Sequence, residues 1–200
     1  MGPSELSPGM ASYFLYFLIP LWIGAGFADW VLHRRTRIER TSGIKESLLH
    51  GAQMAEVGVP ALMALLFQVN ALIILMMLIG FVLHEATALW DVRYAGRLRS
   101  VTPLEQHVHS FLEVLPLIAG SLLILLHWDQ FLALWGMGPN PARFTIELKD
   151  PPLPPTSLLG IFFSIVILNA IPFLEEAWRC YRFRGQRHSI RFEPERLAPN

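Results

Sequence analysis

Four long stretches of this chain carry no charged side chain: residues 10–27, 57–83, 114–126 and 153–174. A helix that crosses a bilayer needs about 20 mostly apolar residues. Each stretch reaches or approaches that length once its amphipathic ends are added. The composition agrees, with 53% hydrophobic and only 16% charged residues, where a soluble domain carries about 25% charged. The lone Cys180 excludes an intramolecular disulfide framework, a CxxC zinc site and a CxxCH haem attachment. Sixteen basic residues balance sixteen acidic ones, so net charge makes no case for a nucleic-acid partner.

The first stretch has no basic segment before it; Arg34, Arg35, Arg37 and Arg40 follow it instead. It reads as a retained helix rather than a signal peptide. The second stretch, 57–83, would be about 40 Å long as one helix, against a hydrocarbon core of about 30 Å. Its middle holds Gln68-Val69-Asn70. Two readings compete: one tilted span, or two helices joined by a tight turn there. Positive charges decide between them, because Lys and Arg favour the cytoplasmic side. With the hairpin, 14 of the 16 basic residues fall inside and only Arg143 and Lys149 outside; with a single span the split is 7 against 9. The expected fold is therefore all-α. It is a polytopic membrane bundle of about five helices (10–40, 43–68, 70–98, 103–128 and 156–183), with the amino terminus outside and the carboxyl terminus inside. Residues 129–155, rich in Pro, form an outer loop, and 184–200 a basic cytoplasmic tail.

The hairpin brings five of the seven histidines to one depth near the inner face: His33, His50, His84, His107 and His109. Asp29, Glu46, Glu56, Glu85, Asp91, Glu105 and Glu113 share that layer, while the outer half is almost free of ionisable groups. Charged groups at membrane depth are expensive and face the bundle interior. Residues four apart share a helix face, which pairs Asp29 with His33, Glu46 with His50, and His109 with both Glu105 and Glu113. His84 and Asp91 lie two turns apart on one face, and His107 is almost opposite His109. Facing helices that offer Glu and His build dimetal sites in soluble bundles. Mixed imidazole and carboxylate donors suit iron, manganese or zinc.

Several of these residues also have a structural reading. Thr102-Pro103-Leu104-Glu105 is a capping box, which makes Glu105 a cap first. Glu46, in a first helical turn, favours the helix dipole. Asp91 lies about 10.5 Å along the axis from His84, so it binds a second metal, orients a histidine or pairs with an arginine. Glu175-Glu176, at the end of the last helix, either closes the site from a fifth side or, as the preferred reading, snorkels as an interfacial pair of acids. Glu56 and Glu113 sit in apolar sequence, where an unpaired carboxylate is costly. The expected metal ligands are His50, His84, His109 and Glu113, with Asp29, His33, Glu56, Asp91 and His107 in or around the same cluster. His127 and His188 are expected to take no part. Ion pairing alone would call for arginines within the layer, and these lie mostly beyond it.

Layered acid–histidine pairs over residues 29–113 resemble membrane-bound non-haem di-iron proteins, the fatty-acid hydroxylases, desaturases and alkane hydroxylases. Their HxxxH and HxxHH boxes are missing here, as are paired ExxH motifs; His107-Val108-His109 is the one close histidine pair. The stretch from Trp90-Asp91-Val92-Arg93-Tyr94 to Glu113 also resembles a segment of uncharacterised bacterial multi-span membrane proteins. The di-iron resemblance implies oxygen activation on a lipidic substrate, with electrons from a donor protein. The expectation is a metal-dependent oxidoreductase, di-iron by that resemblance, multi-pass in the cell inner (cytoplasmic) membrane. Three other readings stay open: a bis-histidine haem b electron carrier using His50, His84 or His109, a metal or proton carrier, and a non-catalytic accessory subunit.

Overall fold

The structure is a computed structural model; it describes residues 8–191, with side chains from 9 to 184. Five helices are long and apolar enough to cross a membrane: α1 (Gly9–Thr36), α2 (Ile44–Leu66), α3 (Ala71–Ala95), α4 (Pro103–Leu126) and α6 (Pro155–Arg184). A short helix, α5 (Trp128–Leu134), follows α4. The described residues are otherwise loops and turns, with no strand among them. Large apolar side chains such as Val82, Leu125, Phe162, Ile167 and Leu174 are more than half exposed. That surface is costly in water and at home against lipid.

Local sequence explains where the helices bend and stop. Pro20 in α1 and Pro172 in α6 cannot donate a backbone hydrogen bond, and each ring crowds the carbonyl four residues earlier. Both follow a π-helical turn, Phe14–Leu18 and Val166–Ala170, which takes up the mismatch. The first helix stops short of the expected residue 40. Arg37 adopts a left-handed conformation (φ 54°, ψ 54°) and a 3₁₀ turn, Ile38–Arg40, completes the connection. At the other end the backbone stays helical to Arg191, beyond the expected stop at 183; residues 192–200 of the expected tail lie outside the described residues.

The 57–83 run is split, as the hairpin reading requires. Phe67 leaves the helix and Asn70 caps α3, its Oδ1 accepting from Leu72 N (3.0 Å) and Ile73 N (3.3 Å). The Pro-rich segment after α5 folds back onto this turn. Gln68 N donates to Glu147 O (2.8 Å), Lys149 N to Leu66 O (3.0 Å) and Leu72 N to Arg143 O (3.1 Å). Lys149 Nζ donates to Phe67 O (3.1 Å) and to Ala64 O. The expected loop 129–155 thus contains a helix at its start, because its prolines begin only at Pro139.

Packing closes the spanning helices into a ring in the order α1–α4–α3–α2–α6. Two glycines let neighbours touch backbone to side chain. A Cβ on Gly80 would lie 2.3 Å from Glu56 O and 2.9 Å from Pro60 Cγ, so α2 and α3 meet there. A Cβ on Gly26 would lie 2.1 Å from Asn169 Oδ1, on the π turn of α6. Near the α2–α3 turn the ring is filled by Ala64, Val69, Ile73 and Ile74. At the opposite end it is filled by ionisable groups.

Candidate metal centre

Each of the five ring helices sends an acid or a histidine to that end. From α1 come Asp29 and His33, one turn apart; from α2, Glu46 and His50 with the same spacing. From α3 comes Asp91, from α4 Glu105 and His109, and from α6 Glu176. Of these, His33, Glu46, Glu105 and Glu176 have no exposed surface, and Asp29, His50 and Asp91 are buried with them.

Glu176 is the hub. Its Oε2 lies 3.2 Å from His33 Nδ1 and its Oε1 3.3 Å from His50 Nδ1. A carboxylate only accepts, so both rings donate from Nδ1. The two imidazoles stack, centroids 4.4 Å apart and planes 11° from parallel. Their Nε2 atoms then face carboxylates: His50 Nε2 lies 3.0 Å from Asp91 Oδ2, and His33 Nε2 lies 3.4 Å from both Asp29 Oδ1 and Glu105 Oε1. His33 Nε2 is buried and aligned for a hydrogen bond with neither, and Asp91 Oδ1 is likewise buried without a partner. His109 Nε2 meets Asp29 Oδ1 at 2.9 Å.

Three sets of side chains hold ligand atoms within 4.8 Å of one another: Asp29–His33–His50, His33–Glu105–His109 and Glu46–His50–Asp91. The last two share no residue, so they describe two adjacent positions for a cation, with Asp29 between them. Arg99, in the α3–α4 connection, is the one arginine in the cluster among the described residues. Its guanidinium is 5% exposed and bonds both Glu46 and Glu105. Burial opposes its charge, but the bonds to Glu105 and Glu46 outweigh this and push its pKa up. Other arginines pair around the edge: Arg34 with Glu175 (2.5 Å), and Arg179 with Glu175 (3.2 Å) and Glu39.

Of the nine side chains expected from the sequence, Asp29, His33, His50, Asp91 and His109 meet in this cluster. His84 and Glu113, expected as ligands, stand beside it instead: both line a small cavity that also touches Asp29, His50, Asp91 and His109. His84 is a full turn or more deeper than Asp91, and its Nδ1 is turned to Gln53 O (3.3 Å). Glu56 is tied to Thr87 Oγ1 (2.8 Å), away from the cluster. His107 is exposed and packs edge-on against Phe111 (5.3 Å). Two residues along a helix from His109 is about 200°, which turns it outward.

Four members were not among the nine expected side chains. Glu105 does form the capping box with Thr102, and the same carboxylate still reaches His33 and Arg99; the two roles do not compete. Glu46 begins its helix and points inward. Glu176 does not snorkel, because the π turn and Pro172 carry it into the ring. Arg99 is the exception to arginines that lie mostly beyond the layer. Comparison with protein-family models, curated proteins and solved structures finds no match for this chain.

Proposed function

We propose that the chain is an integral membrane metal-dependent oxidoreductase whose cluster holds two metal ions near the cytoplasmic face. The observation that carries this reading is the grip of Glu176 on both Nδ1 atoms. A carboxylate that fixes the tautomer of a histidine leaves the Nε2 lone pair to a metal and orients it. Here His50 Nε2 faces Asp91 on α3, and His33 Nε2 lies between Asp29 on α1 and Glu105 on α4.

Charge supports the same reading. Asp29, Glu46, Asp91, Glu105 and Glu176 are five buried carboxylates against one guanidinium, leaving four negative charges in a medium that tolerates them badly. Two divalent cations balance them. Protonating all three histidines also removes most of the imbalance, but it puts the His33 Nε2 proton between two oxygens without aligning it to either.

The donor set is imidazole and carboxylate without thiolate, which suits iron, manganese or zinc; iron matches the use of such sets in helical bundles. Iron so held supplies one-electron redox steps and oxygen activation. The chain's own part is to hold the ligands: Glu176 fixes two rings, Arg99 fixes two carboxylates, and Asp29 spans both positions. A haem fits less well, because both ring nitrogens of His50 face carboxylates, His109 Nε2 faces Asp29, and His84 turns Nδ1 to Gln53 O outside the cluster. A transmembrane carrier would need polar groups along the ring, whereas the far end is filled by Ala64, Val69, Ile73 and Ile74. A lipidic substrate and an external electron donor complete the reading.

The proposed orientation, amino terminus outside and carboxyl terminus inside in a cell inner membrane, rests on the 14-to-2 division of basic residues. Reporter fusions at Gln68 or Asn70 should read as external. The metal reading is tested by elemental analysis and an optical spectrum of the purified protein. Two irons per chain without a Soret band support it, and His33→Ala with His50→Ala should strip the metal while His107→Ala and His127→Ala keep it. Metal-free protein after growth and purification in iron would leave an ion-paired accessory subunit as the better reading.

A further inference from the structure

The cavity beside the cluster has a polarity of its own. On its deeper side His84 is 3% exposed, and its Nε2 has no partner. His84 Nδ1 faces a backbone carbonyl, which only accepts, so Nδ1 carries the proton and Nε2 of the neutral ring is an acceptor. Gln53 Nε2, also lining the cavity, is a buried donor without a partner. A free donor and a free acceptor on two residues that line one cavity match a hydroxyl group, which donates one hydrogen bond and accepts another.

The rest of the wall selects further. Asp29, Asp91 and Glu113 line the same space and repel a carboxylate or phosphate. Ala88, Val92 and Leu112 supply apolar wall. Val92 lines the cavity and is also 43% exposed on the outer surface of α3. A residue that does both marks a mouth at the bundle's perimeter, on α3 beside the α4 residues Leu112 and Glu113 that line the same space.

We propose that this cavity is a binding site for a neutral, hydroxyl-bearing amphiphile that enters laterally between α3 and α4. Its hydroxyl sits between Gln53 Nε2 and His84 Nε2, beside the cluster. That this amphiphile is the substrate rests on the metal reading above; that it binds does not.

The probe is dodecan-1-ol, compared with dodecanoate and dodecane, added to the purified protein in detergent. Native mass spectrometry follows binding, and metal is measured on the same preparation. Dodecan-1-ol should bind at one site, with the acid and the alkane roughly tenfold weaker or worse, as the loss of one buried hydrogen bond implies. His84→Leu and Gln53→Leu should each weaken the alcohol by roughly tenfold and leave metal content unchanged. Val92→Trp, which touches neither polar group, should block the mouth and lose the alcohol with the helical content intact. The proposal is overturned if dodecanoate binds as well as the alcohol, if Val92→Trp and His84→Leu bind it like the unaltered protein, or if His84→Leu strips metal. Metal-free protein that still selects the alcohol would uphold the site and remove the dimetal reading alone.

Discussion

The two ends of the ring are built from opposite materials. Around the α2–α3 turn, Ala64, Val69, Ile73 and Ile74 pack with Met76, Met77 and Leu123, and the Pro-rich segment docks through backbone bonds. Any apolar set of the right volume would serve there. At the other end, eight ionisable side chains from five helices replace that core, joined by Arg99 from a connection. Buried ion networks seldom outperform an apolar core in stability, and breaking one by removing a single partner is costly. An end whose only task was to hold the helices together would repeat the first solution. The difference is what the proposed metal reading accounts for, and it says where substitutions should hurt.

The sharpest break in this contrast comes from Arg99. Arg99→Ala leaves Glu46 and Glu105 buried without their cation, and should lower the unfolding free energy by about 3–5 kcal/mol. Arg99→Lys keeps the charge but loses the fork that reaches both acids, and should recover only part. Denaturant titration of the purified protein measures both. A loss below about 1 kcal/mol for Arg99→Ala would mean that water already reaches the cluster.

Next in size is Glu176→Gln. The amide keeps one acceptor oxygen, so only one of His33 and His50 retains its partner. On the proposed dimetal reading, metal affinity should fall by about 10–100-fold, the usual range for losing such a partner, with little loss of helix content. Competition with a chelator gives the value. Unchanged affinity would separate Glu176 from the metal and return it to a packing role.

How far the sequence reached differs between the ends in the same way. Long uncharged runs show a membrane bundle directly, because hydropathy is a local property, and Asn70 in the middle of the longest run signals its own helix cap. Helical phase pairs Asp29 with His33 because both sit on one helix. It has no access to His33 meeting Glu176, 143 residues away. Glu46, Glu105 and Glu176 each have a sufficient local explanation, as dipole acid, cap and interfacial acid, and that explanation hides the tertiary one. Arg99 belongs to a connection, where periodicity says nothing. His84 was drawn in by depth, and Glu113 by depth and by the face it shares with His109; His84 lies two turns from Asp91 and Glu113 one turn from His109, which puts both beside the cluster rather than in it.

Between the ends lies a seam set by shape rather than charge. A Cβ at Gly80 meets the backbone oxygen of Glu56, which has little room to yield. Gly80→Ala should therefore cost about 1–3 kcal/mol as overpacking. A Cβ at Gly120 would rest 3.5 Å from the flexible end of Met77, so Gly120→Ala should be neutral or gain up to about 1 kcal/mol from helix propensity. Thermal unfolding of the pair gives the comparison. Equal effects would mean that α2 and α3 are not held in register at Gly80.

The smallest expected effect belongs to the apolar end and carries the opposite sign to an ion pair. His127 follows α4, outside the spans, and donates from Nδ1 to Leu123 O (3.0 Å). Burial lowers its pKa below the ordinary 6.5, and the positive charges of Lys149 and Arg143 push the same way. The folded state therefore binds fewer protons than the unfolded state in the window from the lowered value up to 6.5. Stability should rise with pH through that window and level off above it. His127→Ala should flatten this small slope and leave metal content unchanged. A protein held together mainly by charged histidine pairs would lose stability as pH rises, so the sign of the slope that His127→Ala removes tells which kind of histidine it is. A slope that persists in the variant would trace the pH dependence to the buried cluster instead.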